Sequence, residues 1–258
     1  MKHYVFTIDD NVRFLYELTR DNPSSLFNHP YTAMLQRLHE EYGAKIQLNL
    51  FYEYGDFTLG QMTDRYRDEW RLASEWLKLS FHSRREVRSP YKDSDYGTVF
   101  SDSLAVGREI LRFAGESSLA KTSTIHYCEL TREGVAALRD SGYCGLLGLF
   151  GGDDGSVGSY SLSECDCKRV ISRDTATRDG ITYSKIDLII NSKQKSELPS
   201  ILEGFSSSKL VKVMIHEQYY YSDYYRYQPD FEDKLRYTLD ALSKLGFASA
   251  HFEELIRN

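Results

Sequence analysis

Five side chains able to bind a metal or move a proton stand at the ends of three apolar runs. Asp9 and Asp10 follow Tyr4-Val5-Phe6-Thr7-Ile8, His82 and Glu86 follow Trp76-Leu77-Lys78-Leu79-Ser80-Phe81, and His216 follows Leu210-Val211-Lys212-Val213-Met214-Ile215. In a barrel or sheet of parallel strands the C-terminal strand ends converge on one face, so these residues can meet around one metal and its substrate. On a strand, adjacent carboxylates point to opposite faces, but where the chain turns one can reach a metal and leave the other free for a water. The same pair also suits a solvated turn or a helix N-cap. His82 and Glu86 have the i, i+4 spacing that puts two ligands on one side of a helical turn, and their nitrogen and oxygen donors suit zinc and its first-row neighbours. The alternative pairs Glu86 with Arg84, Arg85 or Arg88 on a wet loop. The imidazole of His216 fits either a proton donor to a leaving group or a hydrogen-bonded structural residue.

The elements that would position these groups alternate between strand-like and helix-like, which predicts an α/β fold of mainly parallel strands with helices outside. After the first strand, Pro30 to Glu41 carries Met34, Leu35 and Leu38 at helical spacing and Gly43 stops it, and Lys45 to Leu50 alternates as a second strand. Thr63 to Trp76 reads as a polar helix before the third strand, Val99 to Phe113 as a covering helix, and Thr122 to His126 as a short fourth strand. Thr131 to Arg139 begins on an N-cap residue and ends near Gly142, and Cys144 to Phe150 follows as a buried strand. Residues 151–180 turn to Gly, Ser and Asp, which predicts loops and a hairpin rather than a helix. Ile181 to Ile190 and Leu210 to Ile215 read as strands around a short helix from Ser196 to Phe205, before a last helix from Phe231 to Leu245 and a final segment from Phe247 to Phe252.

With 258 residues and no shift in composition, the chain reads as a single domain over 1–258. A net charge of -6 with Lys and Arg scattered argues against a nucleic-acid partner, which needs a basic stripe. No apolar stretch reaches membrane-spanning length and the start does not look like a signal peptide, so a cytoplasmic location and no membrane partner are expected. Cys128, Cys144, Cys165 and Cys167 match no common zinc pattern and read as free thiols. The stretch from Glu217 through Tyr219 and Tyr220 to Pro229 is rich in tyrosine, and its flat, polar-tipped rings suit one wall of a sugar site; Phe51, Tyr52, Glu53 and Tyr54 would form the other. A packed loop over the barrel end, or a subunit contact, explains the same stretch, and the sequence leaves the oligomeric state open.

An Asp-Asp pair after the first strand, a His-Ser-x-x-ligand turn after the third and a histidine closing an apolar strand near the C-terminus resemble, in that order, the polysaccharide deacetylase superfamily. These are metal-dependent carbohydrate esterases on a distorted (β/α) barrel, and the resemblance runs from Phe6 to His216. It implies Asp9 as catalytic base, Asp10, His82 and Glu86 as ligands of a divalent metal with zinc first among candidates, and His216 as general acid. It implies removal of an acetyl group from an amino sugar or glycan precursor. The chain is a divergent member in this comparison, because Glu86 stands where the family has a second histidine. An Arg-Pro-Pro-Gly-like segment is also replaced by Thr124-Ile-His-Tyr-Cys128, which leaves His126 or Glu129 to occupy the space of the arginine that orients the base. The alternatives are another barrel hydrolase, acting on a glycosidic or non-sugar amide bond without an obligatory metal, and a non-catalytic member that binds glycans.

Overall fold

The computed structural model describes residues 1–151 and 159–256. Strand β1 (Lys2–Asn11) sends Tyr4, Phe6 and Ile8 into the main core and Val5 into a second, smaller one, as the two-residue period of a strand requires. Helix α1 (Arg13–Asp21) has no local cap. Instead, the Glu217 carboxylate accepts from the amides of Val12, Arg13 and Phe14 at 2.7, 3.2 and 2.8 Å. Helix α2 (Pro30–Tyr42) begins on a proline, whose missing N–H is no loss there, and stops at Gly43, where φ is 61°. Then come β2 (Ile46–Phe51), the small hairpin β3 (Glu53–Tyr54) and β4 (Phe57–Thr58), α3 (Arg67–Ala73) and β5 (Leu77–Ser83).

Helix α4 (Tyr96–Phe113) is capped by Asp95, which accepts from the Thr98 amide at 2.7 Å. After β6 (Thr122–Ser123), α5 (Arg132–Asp140) is capped in the same way by Thr131, at 3.0 Å from the Gly134 amide. The chain continues through β7 (Gly145–Gly148), α6 (Glu164–Arg173), β8 (Thr175–Arg178), β9 (Ile181–Lys185) and β10 (Leu188–Ile189). It closes with α7 (Leu198–Glu203), β11 (Leu210–His216), α8 (Phe231–Lys244), β12 (Phe247–Ser249) and α9 (Phe252–Ile256).

Two sheets face each other. The first has the order β10-β11-β1-β2-β5, all parallel, with β12 beside the start of β1; the second has the order β6-β7-β9-β8, antiparallel only between β8 and β9. They join along one side through the Ala120 amide to the Leu79 carbonyl, and along the other through the Asp187 amide to the Lys212 carbonyl, both at 2.8 Å. The product is a distorted (β/α) barrel of mainly parallel strands, the α/β class read from the sequence.

The main core lies between the outer face of the first sheet and the helices, where Ile8, Leu48, Leu79 and Val213 meet Leu15, Leu35, Ile110 and Leu239. The inner face is different in kind. Gln47, Asn49 and Ser80 are as buried as their apolar neighbours and point at the second sheet, so the alternation in Lys45 to Leu50 marks polar residues inside the barrel rather than a wet face.

Several local expectations are corrected. Helix α1 goes unread because its cap comes from β11's end and not from its own sequence. In 151–180 the hairpin is present as β8 and β9, but α6 is a helix, capped by Ser163 accepting from the Asp166 amide at 3.2 Å, where loops were expected; residues 152–158 lie outside the described residues. Ile181 to Ile190 is two strands, since the chain crosses from the second sheet to the first at Ile186 and Asp187. The polar helix before β5 is confined to Arg67–Ala73. Among the described residues no helix is long and apolar enough to cross a membrane, and Cys128, Cys165 and Cys167 are free thiols.

Candidate metal centre

Asp9 and Asp10 sit within β1 rather than beyond it. The pairing of β1 with β2 slips between Ile8 and Asn11, and Asp10 adopts a left-handed backbone with φ 61°. Such a bulge breaks the alternation of faces, and aspartate tolerates this conformation better than most residues. Both carboxylates therefore line the same cleft, a space of about 520 Å3 that also takes in His82, His126 and His216.

His82 lies on β5 with both ring nitrogens defined. Nδ1 faces the Thr124 carbonyl at 2.5 Å, which can only accept, so Nδ1 carries a proton and Nε2 is the ring nitrogen turned to the cleft, a ligand atom once its own proton is displaced. That Nε2 is 2.9 Å from Asp10 Oδ1 and 3.1 Å from His126 Nδ1, and His126 Nδ1 is 3.1 Å from the same Asp10 oxygen. His126 reaches this point on the turn after β6, where Tyr127 and Cys128 are both left-handed, with φ 62° and 55°. Two such residues in a row are a stored strain that aims a side chain. Phe51 stacks edge-on to His126, with ring centroids 4.9 Å apart, and backs the pair.

Asp10, His82 and His126 thus form a buried group whose ligand atoms all lie within 4.8 Å of one another. Donors bound to one first-row cation at about 2.0–2.2 Å stand roughly 3 Å apart, so two imidazoles and a carboxylate at these separations fit a divalent metal. The electrostatics point the same way. Burial pushes Asp10 up, but hydrogen bonds from His126 and His82 outweigh it and hold its carboxyl well below the usual range. Burial alone would lower His82, yet the facing Asp9 and Asp10 carboxylates raise it. His126 is lowered by its burial. The centre attracts positive charge. Gln218, which no motif singles out, donates to Asp10 Oδ2 at 2.6 Å and fixes the outer oxygen.

Asp9 flanks the group. It is buried, which raises its carboxyl, and Oδ1 accepts from Asn49 Nδ2 at 2.6 Å, while its second oxygen has no hydrogen bond among the described residues. His216 is the register partner of Asp9 on β11. Its Nδ1 faces Asn191 Oδ1 at 2.9 Å, the geometry of a ring N–H donating to an amide oxygen, which leaves Nε2 for the cleft.

The other candidates are dispersed. Glu86 is exposed on a bend at the cleft mouth and is not in the donor group, because β5 runs to Ser83 and no helical turn carries residues 82–86. Glu53 is ion-paired with Arg84 at 2.7 Å, and Tyr52 lies under the same guanidinium. Glu129 is half-buried outside the cleft lining. Glu217 spends its carboxylate on α1 and on the Tyr221 hydroxyl at 2.9 Å, and burial still pushes it up to about 7. Tyr220 packs inward on Tyr31 and Phe231, whereas Tyr219, Tyr224 and Tyr225 do wall the cleft, together with Tyr127.

No family model matches the chain, and no curated protein sequence does. Solved structures do. The Bc1960 peptidoglycan N-acetylglucosamine deacetylase, solved with 4-naphthalen-1-yl-N-oxidanyl-benzamide, superposes with a TM-score of 0.55 at 10% identity over 98% of this chain and 86% of its own. A mutant of BA3943 from Bacillus anthracis, described as a CE4 family pseudoenzyme with restored enzymatic activity, gives 0.55 at 12% over 99% and 68%. The 4-alpha-glucanotransferase of Thermococcus litoralis gives 0.57 at 15%, over 98% of this chain and 40% of that one. The class defined here is the distorted (β/α) barrel that these structures share. At these identities the likeness is one of fold, and the same fold serves an acyl-removing enzyme and a glucan transferase, so function is argued from the site.

Proposed function

We propose that the chain is a divergent polysaccharide deacetylase, a single-domain, divalent-metal-dependent hydrolase that removes an acetyl group from an amino sugar or glycan precursor. The observation that carries this is the convergence, in one cleft, of a three-donor group with a carboxylate on one flank and an imidazole on the other. Asp10, His82 and His126 would hold the cation, with zinc the first candidate for a mixed nitrogen and oxygen set. When bound, it would supply Lewis-acid polarisation of the acyl carbonyl and acidify water.

The rest falls to the side chains. Asp9, with one oxygen tied to Asn49 and the other free, takes the proton of the water that attacks the carbonyl carbon. His216 delivers a proton from Nε2 to the departing amine or alcohol as its bond to the acyl carbon breaks, giving acetate and the free sugar. Tyr219, Tyr224 and Tyr225 offer ring faces to a pyranose. The free thiols of Cys128, Cys165 and Cys167 accord with a reducing compartment such as the cytoplasm.

The test is turnover of N- and O-acetylated sugars by protein free of affinity-tag metal, with and without chelator. The expected result is chelator-sensitive release of acetate. His216→Ala should lower kcat by about 100-fold or more while metal content stays at the wild-type level. Chelator-insensitive cleavage of a glycosidic bond, or full activity in that variant, would replace this reading.

A further inference from the structure

The Asp9 carboxylate is held by a line of amides that crosses the barrel, and its polarity can be read from one end. Gln47 Nε2 stands 3.0 Å from the carbonyl oxygen of Thr122, and a carbonyl only accepts, so that end of the Gln47 amide is the nitrogen. With that end fixed, Thr122 Oγ1 donates to Gln47 Oε1 at 2.8 Å. The same Nε2 donates to Asn49 Oδ1 at 2.8 Å, which leaves Asn49 Nδ2 as the group 2.6 Å from Asp9 Oδ1. No flip of either amide satisfies all four contacts. Thr122, Gln47, Asn49 and Asp9 are each no more than 2% exposed, so no water competes for these bonds.

We propose that Asn49 is the positioning residue for Asp9, and that Gln47 and Thr122 set which end of its amide faces the carboxylate. This rests on Asp9 being the base. Neither His126 nor Glu129, which stand in the segment where the family arginine is lacking, makes a hydrogen bond to Asp9 among the described residues: His126 turns to Asp10 and His82 instead. The support comes from β2, with its anchor on β6 of the opposite sheet, so closure of the barrel and aim of the carboxylate are one arrangement.

Asn49→Leu keeps the side-chain bulk and removes the donor. It should lower kcat about 10- to 100-fold, the effect of one charge-assisted hydrogen bond, with KM within about 2-fold and metal content unchanged. Gln47→Met, one step further from the carboxylate, should lower kcat less, again without moving KM; if Asn49→Leu does not fold, this variant decides the matter. Unchanged kcat in a folded variant, beside an inactive Asp9→Asn, overturns the positioning role and leaves the proposed function standing. An active Asp9→Asn overturns the function itself. In 15N-labelled protein, Asp9→Leu should shift the Asn49 side-chain amide resonances while His216→Ala leaves them in place, and an unmoved Asn49 signal refutes the contact whatever the turnover.

Discussion

The two sheets of the barrel supply the site unequally. The first gives Asp9, Asp10, His82 and His216 from strands of seven to ten residues whose outer faces are fixed by the main core. The second gives only His126, from the turn after a two-residue strand, and places it through consecutive left-handed residues. Long strands deliver side chains by register, interrupted once by the bulge that turns Asp10. Short ones deliver them by strain and by close packing on glycine.

The difference should show first in the metal. Asp10→Ala removes a donor carried on a bulge of the long sheet. It should weaken divalent-metal affinity by more than about 100-fold, beyond what loss of a supporting partner would do, and abolish turnover with little change in fold, as read by calorimetric titration and circular dichroism. In the second sheet the expected injury is to stability. A Cβ on Gly145 would lie 2.6 Å from Ile256, 2.9 Å from Thr122 and 3.0 Å from Phe252, so Gly145→Ala should destabilise by about 3 kcal/mol in denaturant unfolding. Wild-type stability in that variant would mean that the second sheet is no more tightly built than the first.

A smaller effect separates the two ends of the barrel. At the C-terminal end of the strands the buried imidazoles have partners, whereas His251, beyond β12 at the other end, is buried and pushed down to about 4 by desolvation. Its folded pKa lies below the ordinary value, so the neutral form is preferred in the native state and stability falls as pH drops from about 6.5 towards 4. His251→Leu should remove about 2 kcal/mol of the loss seen between neutral pH and pH 5, as measured by urea unfolding at both. Identical acid limbs would show that His251 does not titrate in this range.

The long sheet was also the legible one. Apolar runs ending in Asp, His and His announce parallel strands whose ends meet, and the architecture follows from that order. What stayed hidden depends on contacts far apart in the chain. Helix α1 borrows its cap from Glu217, more than two hundred residues away, so no local start signal exists. Spacing suggested Glu86 because it assumed a helical turn where β5 continues to Ser83. His126 was visible as a polar residue near the site, but its approach to Asp10 needs left-handed backbone at Tyr127 and Cys128, and neither residue type advertises that conformation as glycine or asparagine would. Asn49 and Gln47 looked like the polar side of an ordinary strand until the second sheet covered them.

The central claim is that one divalent cation is shared by Asp10, His82 and His126 across the two sheets. Stoichiometry and affinity of zinc, measured in tag-free wild type, His126→Ala and Glu86→Ala, test it most directly. The account predicts one equivalent in the wild type, a loss of about 100-fold or more in affinity for His126→Ala, and a change of less than about 3-fold for Glu86→Ala. The reverse pattern, with Glu86→Ala emptied and His126→Ala still loaded, would contradict it.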